Sequence, residues 1–358
     1  MLENTISRIY EIIARRARSG DVIARRAPVG EILFLHAYFL ETGEKNALLL
    51  FQNLLGASLE NRTESRSFYV YDGLAPIALV LAQDSRLSAL PFYDRLRQAA
   101  LQELAADARA LAKDDLDFLT GWTGHAFLSA GLGDDGALAH LASLAGTVAD
   151  PAAAPLCCFP RDDTEHPVID LGLAHGNIGL LSVLALCGRT VPEVTAMAQA
   201  LLCQLEAHEL PDGPSRFPYF AGQAGPSRIG WCYGDLSMLI GLTQCAAAGI
   251  GPKDPALFDR VEQALLDRLA AGAALEDAFL CHGTAGLIAI SVFLQGAGKP
   301  RLATLRAALH ETLDAQLRPV LEQDNCSTDL LNGMSGVGLA LLSSQTGRRL
   351  PWQTLFLT

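Results

Sequence analysis

The sequence predicts an all-α fold of seven buried inner helices surrounded by seven amphipathic outer ones. Three observations lead there. A glycine motif recurs along the chain in steps near fifty residues, the apolar runs carry helical spacing, and alternating β-branched runs with hairpin turns are scarce. The clear motif copies are Gly121-Trp-Thr-Gly124, Gly176-Asn-Ile-Gly179, Gly283-Thr-Ala-Gly286 and Gly333-Met-Ser-Gly336. Gly73-Leu-Ala-Pro76 and Gly234-Asp-Leu-Ser237 are worn copies, and Ala27-Pro-Val-Gly30 is a degraded first one. Their leading positions step by 46, 48, 55, 58, 49 and 50 residues, the length of a helix–loop–helix–loop unit.

The elements follow in order. At the N-terminus, Ile6, Ile9, Ile12 and Ile13 are spaced for one face of a helix. With acids early, arginines late and no apolar core, this stretch does not read as a secretory signal. Each glycine motif then opens an apolar run, as in residues 32–40, 180–186 and 287–294, which predicts a buried inner helix. Between motifs, residues 93–111, 194–205, 256–269 and 302–317 place apolar residues at i, i+3, i+4 and i+7 and charges opposite, the pattern of outer helices. Two stretches break the helical pattern, 151–167 and 211–230; the second holds Pro211, Pro214, Pro218 and Pro226. Both lead into motif helices, so both are expected as walls over a central cavity rather than as linkers. Neither end of the chain shows a polar capping repeat, which favours closing the seven pairs into a ring over an open stack. The whole of residues 1–358 therefore reads as one domain. Glycine at the motifs permits positive φ or close chain approach, and a ring of inner-helix N-termini is expected to offer N–H groups and partial positive charge to an anion.

Composition sets limits. Half of the 358 residues are hydrophobic and 18% are charged, which excludes disorder as the main state. The net charge of −12 argues against nucleic acid or an anionic membrane as main partner. Mean hydropathy is positive (+0.24), yet no uninterrupted apolar run reaches the roughly 18–20 residues of a transmembrane helix. Eight cysteines are too few for a small disulfide scaffold, so a cytoplasmic setting with reduced thiols is expected.

Registering the seven copies on the motif start exposes a second pattern. The residue just before it is Arg26, Asp72, Thr120, His175, Tyr233, His282 and Asn332, polar every time. Two before it stand Arg25, Tyr71, Leu119, Ala174, Cys232, Cys281 and Leu331. Structural equivalence of the repeats would bring Cys232, Cys281 and His282 to neighbouring helix starts. Two thiols and an imidazole suit Zn²⁺, and three ligands leave one tetrahedral position open, the layout of a catalytic zinc. Taken singly, Cys232 also suits a buried small hydrophobe. Cys157, Cys158, Cys187, Cys203, Cys245 and Cys326 lack the register and read as core or loop thiols. His175 is a candidate acid/base, Asp117 its partner or alternatively a helix cap, and Arg228 a candidate to stabilise developing negative charge or a surface residue.

These motifs resemble the lanthionine synthetase C-like family. The resemblance rests on Leu173-Ala-His175-Gly-Asn-Ile-Gly179, Arg228-Ile-Gly-Trp-Cys232-Tyr-Gly-Asp235, Cys281-His282-Gly-Thr-Ala-Gly286, Asn332-Gly-Met-Ser-Gly336 and Asp117-Phe-Leu-Thr-Gly-Trp-Thr-Gly124. It implies an α/α toroid and one Zn²⁺ held by Cys232, Cys281 and His282. It further implies thioether ring formation, in which a peptide cysteine adds to dehydroalanine or dehydrobutyrine in a ribosomally made precursor carrying a leader. His175 would be the acid/base with Asp117 orienting it; Arg228 and Tyr233 would stabilise the enolate or position the peptide, and Trp231 would line the cavity. The motif steps leave no room for a fused dehydratase, so a separate dehydratase, and a transporter, are the implied partners, with peripheral association to a membrane biosynthesis complex. Arg15, Arg16, Arg25 and Arg26 would offer a basic patch to an acidic leader. Three other readings compete: addition of free thiols such as glutathione to dehydrated proteins, a non-catalytic peptide-binding toroid, and a carbohydrate enzyme using Asp117 and Asp235, which leaves the registered cysteines unexplained.

Overall fold

The computed structural model describes residues 2–19, 27–60, 68–112, 115–134, 136–148, 168–188, 192–322 and 326–358. The stretch 151–167, Arg25, Arg26, Cys157 and Cys158 lie outside the described residues. Among those described, structure is helical apart from one isolated antiparallel bridge, Asp170 to Phe220. In chain order the α-helices are α1 (Leu2–Ser19), α2 (Val29–Thr42), α3 (Lys45–Glu60), α4 (Ala75–Leu81), α5 (Ser85–Ser88), α6 (Pro91–Asp107), α7 (Trp122–Gly131), α8 (Gly136–Val148), α9 (Asn177–Cys187), α10 (Pro192–Glu206), α11 (Asp235–Ala247), α12 (Leu257–Ala270), α13 (Thr284–Gly296), α14 (Arg306–Leu321) and α15 (Met334–Thr346). None is long and apolar enough to cross a membrane.

Two concentric layers form an α/α toroid. The inner ring runs α2, α4, α7, α9, α11, α13, α15, each packed on the next, and α15 returns to pack on α2. Burial explains the layering. Every residue from Asn177 to Ala185 in α9 and from Asp235 to Cys245 in α11 is buried, as expected for helices apolar on all sides. The outer helices bury one stripe: α12 hides Leu257, Phe258, Val261 and Leu265, together with Glu262, which meets Arg301 at 3.3 Å. The seventh outer helix is α1, which packs on α15 and α3 with Ile6, Ile9, Ile12 and Ile13 inward. The first helix of the chain thus completes the last repeat. At the seam, Gly338 of α15 sits where a Cβ would run into the Phe34 ring of α2.

The motif glycines are explained by close approach. The first glycine of each clear copy is extended, with φ between −116° and −153°. A Cβ there would strike the turn just upstream: Asp115, Asp170 or Asp277 at Gly121, Gly176 and Gly283. The second glycine lies against a backbone carbonyl, that of Phe118, Leu173, Leu280 or Leu330. Positive φ is confined to two of the worn copies, at Gly73 (77°) and Gly234 (79°).

One end of the ring is filled. Residues 351–356 form a short 3₁₀ helix, and Trp352, Leu355, Phe356 and Leu357 are buried on the axis. Inner-ring side chains hold it: Trp231 Nε1 donates to Phe356 O (2.9 Å), Gln244 Nε2 to Leu357 O (2.6 Å) and Tyr71 Oη to Leu355 O (3.1 Å).

Candidate metal centre

Short loops before the inner helices build the opposite end. Six residues before the first motif glycine stand Asp115, Asp170, Asp277 and, in the last repeat, Ser327. Each accepts the first N–H of its inner helix on its carbonyl: from Trp122 (2.8 Å), Asn177 (2.9 Å), Thr284 (2.9 Å) and Met334 (2.8 Å). Each side-chain oxygen also closes a turn onto the N–H two residues on, at 2.7–3.2 Å. This overturns one expectation. The first N–H of each of these four inner helices is satisfied by its own loop, so it is not held out to an anion.

A circuit of backbone bonds links the repeats at the registered positions. Val70 N donates to Leu119 O (2.8 Å), Leu119 N to Ala174 O (3.3 Å), Leu173 N to Cys232 O (2.9 Å), Cys232 N to Cys281 O (3.3 Å) and Leu280 N to Leu331 O (3.1 Å). This circuit makes residues 49 apart in sequence adjacent in space. Ligand atoms of Cys232, Cys281 and His282 lie within 4.8 Å of one another. In a tetrahedral site with Zn–S near 2.3 Å, two thiolates stand roughly 3.8 Å apart, so the cluster is of the right size. His282 Nδ1 is buried, and the imidazole hydrogen-bonds the Cys232 thiol, while Nε2 stands 3.1 Å from Asp277 Oδ2. A buried imidazole nitrogen beside two thiols fits a Zn²⁺ donor set.

The electrostatics suit thiolate chemistry. Cys232 is lowered, first by the hydrogen bond from Cys281, then by that from His282 and by the Arg228 charge; burial opposes this. Cys281 is raised because it keeps the proton the pair shares. Cys245, away from this cluster, is pushed up to about 12 by burial alone and is a core thiol.

His175 follows Ala174 on the same circuit. Its Nδ1 is 2.6 Å from Asp117 Oδ2, and Asp117 Oδ1 accepts from Leu119 N (2.6 Å) and Thr120 N (2.9 Å). The imidazole is 39% exposed and the carboxylate 15%, so the pair is anchored inward and open outward. Arg228 lies at the edge of the cysteines. Its N–H donates to Tyr219 Oη (2.8 Å), its guanidinium lies 5.7 Å from that ring, and Nε is 3.5 Å from Glu276. Burial opposes its charge, but Tyr219, Cys232 and Glu276 outweigh that and keep it protonated.

Two residues sit differently from their expectations. Tyr233 is buried, and its hydroxyl donates to Asp170 Oδ2 (2.8 Å) instead of opening to the cavity. Trp231 is also buried, packed against Tyr71, Phe118 and Phe356 beneath the site rather than lining it. The loop 211–230 is tied to the loop before α9 and to the start of α11. Leu171 N bonds Tyr219 O (2.9 Å) and Ala221 N bonds Ile169 O (3.0 Å), while buried Asp235 Oδ1 accepts from Arg216 N (2.8 Å) and Phe217 N (3.0 Å). Sequence reasoning missed Asp170, Asp277 and Tyr219. It also missed Tyr69, a half-buried residue pushed up to about 12 by burial, then by Cys281, Asp329 and Asp117. The sequence signal for the two aspartates was their fixed distance of six residues before the motif glycine.

A closed helical toroid with a Cys-Cys-His cluster beside a His–Asp pair defines a class of candidate zinc proteins. Residues 157–357 match the model of the lanthionine synthetase C-like protein family, and the chain belongs to that family. The resemblance drawn from the motifs is thereby borne out. Among solved structures the fold is similar to nisin cyclase, with a TM-score of 0.78 over 99% of this chain and 98% of that one at 18% identity. No curated protein matches the sequence. The family match begins after the first three repeats, two of which carry the most worn motifs; there the likeness survives in the fold.

Proposed function

We propose that the protein is a zinc-dependent cyclase that joins a peptide cysteine to dehydroalanine or dehydrobutyrine within a ribosomally made precursor. The convergence of Cys232, Cys281 and His282 beside the His175–Asp117 pair, in a chain of this family, carries the reading. Bound there, Zn²⁺ would lower the pKa of the substrate thiol so that the thiolate is available at neutral pH. Asp117 accepts from His175 Nδ1 and so directs Nε2 toward proton exchange. His175 takes the thiol proton or returns one to the α-carbon after the sulfur has added to the β-carbon. Arg228, fixed by Tyr219, sets a positive charge near the carbonyl oxygen that becomes an enolate. Tyr233 acts from behind by holding Asp170 and with it the loop before α9. The substrate arrives already dehydrated by a separate dehydratase.

The test is to measure bound zinc and then incubate the protein with a dehydrated, cysteine-containing peptide, with and without glutathione. Ring closure keeps the peptide mass and removes alkylatable thiols; addition of glutathione raises the mass. The expected outcome is ring closure, with Cys281→Ala losing most zinc and activity and His175→Ala keeping zinc while closing rings slowly. Full zinc loading of Cys281→Ala would overturn the ligand assignment. Mass gain without loss of peptide thiols would move the function to free-thiol addition.

A further inference from the structure

We propose that Asp277 is a positioning residue that sets which nitrogen of His282 faces the metal; this rests on the zinc reading above. Asp277 belongs to the repeat turn, a structural device also built from Asp115, Asp170 and Ser327. Its Oδ1 does what the others do, accepting from Phe279 N at 2.7 Å. Its Oδ2 does something further and stands 3.1 Å from His282 Nε2 as an ion-pair contact, the nearest carboxylate oxygen to that nitrogen. The neighbouring Glu276 is 3.7 Å from the same nitrogen, and its other oxygen faces Arg228 at 3.5 Å. A carboxylate at Nε2 keeps the hydrogen on that nitrogen and leaves the lone pair on Nδ1. Nδ1 is the buried nitrogen, and the imidazole's other partner is the Cys232 thiol, one of the candidate ligands. One aspartate therefore folds the loop with one oxygen and fixes the imidazole with the other.

The discriminating substitution is Asp277→Asn. Its carbonyl oxygen preserves the turn to Phe279, but an amide N–H now confronts Nε2–H. The imidazole has to shift its hydrogen to Nδ1 or rotate, and either removes the ligand lone pair. Zinc dissociation constants are measured by chelator competition on the full chain, for wild type, Asp277→Asn and, as a turn control, Asp115→Asn. Asp277→Asn is expected to bind zinc about 10- to 100-fold more weakly, and Asp115→Asn within about twofold of wild type. In a His282→Cys background, Asp277→Asn is expected to add no further loss, because no imidazole remains to orient. Ring-nitrogen NMR of the zinc-loaded wild type should show the His282 proton on Nε2. Unchanged affinity in Asp277→Asn, or an equal loss with cysteine at 282, would overturn the positioning role. A wild type that binds no zinc would remove the metal reading itself, and this inference with it.

Discussion

Replacing Asp117 by asparagine separates a proton-transfer role of His175 from a merely structural one. Asparagine keeps an oxygen for Leu119 N and Thr120 N, so the local turn persists. The atom opposite His175 Nδ1, 2.6 Å away, becomes an amide donor. Nδ1 can then no longer carry the hydrogen, which moves to Nε2 and blocks that nitrogen as a base. A positioned acid/base contributes about 10²–10⁴ in rate, so Asp117→Asn is expected to lower kcat by roughly 10²- to 10³-fold, about 3–4 kcal/mol of barrier. Zinc content should be unchanged, because Asp117 does not touch the metal cluster. Asp117→Ala should show the same rate loss and lower stability by about 1 kcal/mol more for each backbone N–H left without its acceptor. The assay follows loss of alkylatable thiols in a dehydrated peptide at saturating concentration, with zinc quantified on the same samples. A kcat within threefold of wild type at full zinc loading would refute the acid/base assignment.

Two further outcomes concern the scaffold. Burial lowers His36 from 6.5 to about 4 against the opposing pull of Asp84. A lowered histidine favours the folded state above pH 6.5, and that contribution is lost as pH falls toward 4. Wild type should therefore lose about 2 kcal/mol more than His36→Gln between pH 7.5 and pH 5, read from urea unfolding; equal losses would refute the burial effect. Gly179→Ala should destabilise by about 1–3 kcal/mol because its Cβ meets the Leu173 carbonyl. Gly56→Ala, with open space around it in α3, should instead stabilise by up to about 1 kcal/mol. Thermal melts showing both changes with the same sign would contradict the close-approach explanation.

Much of this was legible because the chain repeats. Registering the motif starts predicted that Cys232 and Cys281 would neighbour each other, and the backbone circuit through Ala174, Cys232 and Cys281 is the physical form of that register. The apolar spacing of Ile6, Ile9, Ile12 and Ile13 identified a helix, yet not its place: α1 closes the outer ring beside α15, at the far end of the sequence. The polar residue before each motif was read as facing one space. Tyr233 departs from this because Asp170, 63 residues upstream, supplies a buried acceptor that no local pattern displays. The filling of the axis by residues 351–356 was likewise invisible, since its partners Tyr71, Trp231 and Gln244 come from two repeats far apart in sequence.

That filled axis makes the molecule a cup and not a pipe. Whatever goes in must come out by the same mouth, so no loose end has to be found and drawn through. On the proposed reading, a chain already bearing closed loops, or still tethered to something bulky, would dip a short stretch to the bottom and withdraw it. On that same reading, the order in which loops are tied would be left to the reach of the visiting strand, not to a direction of travel.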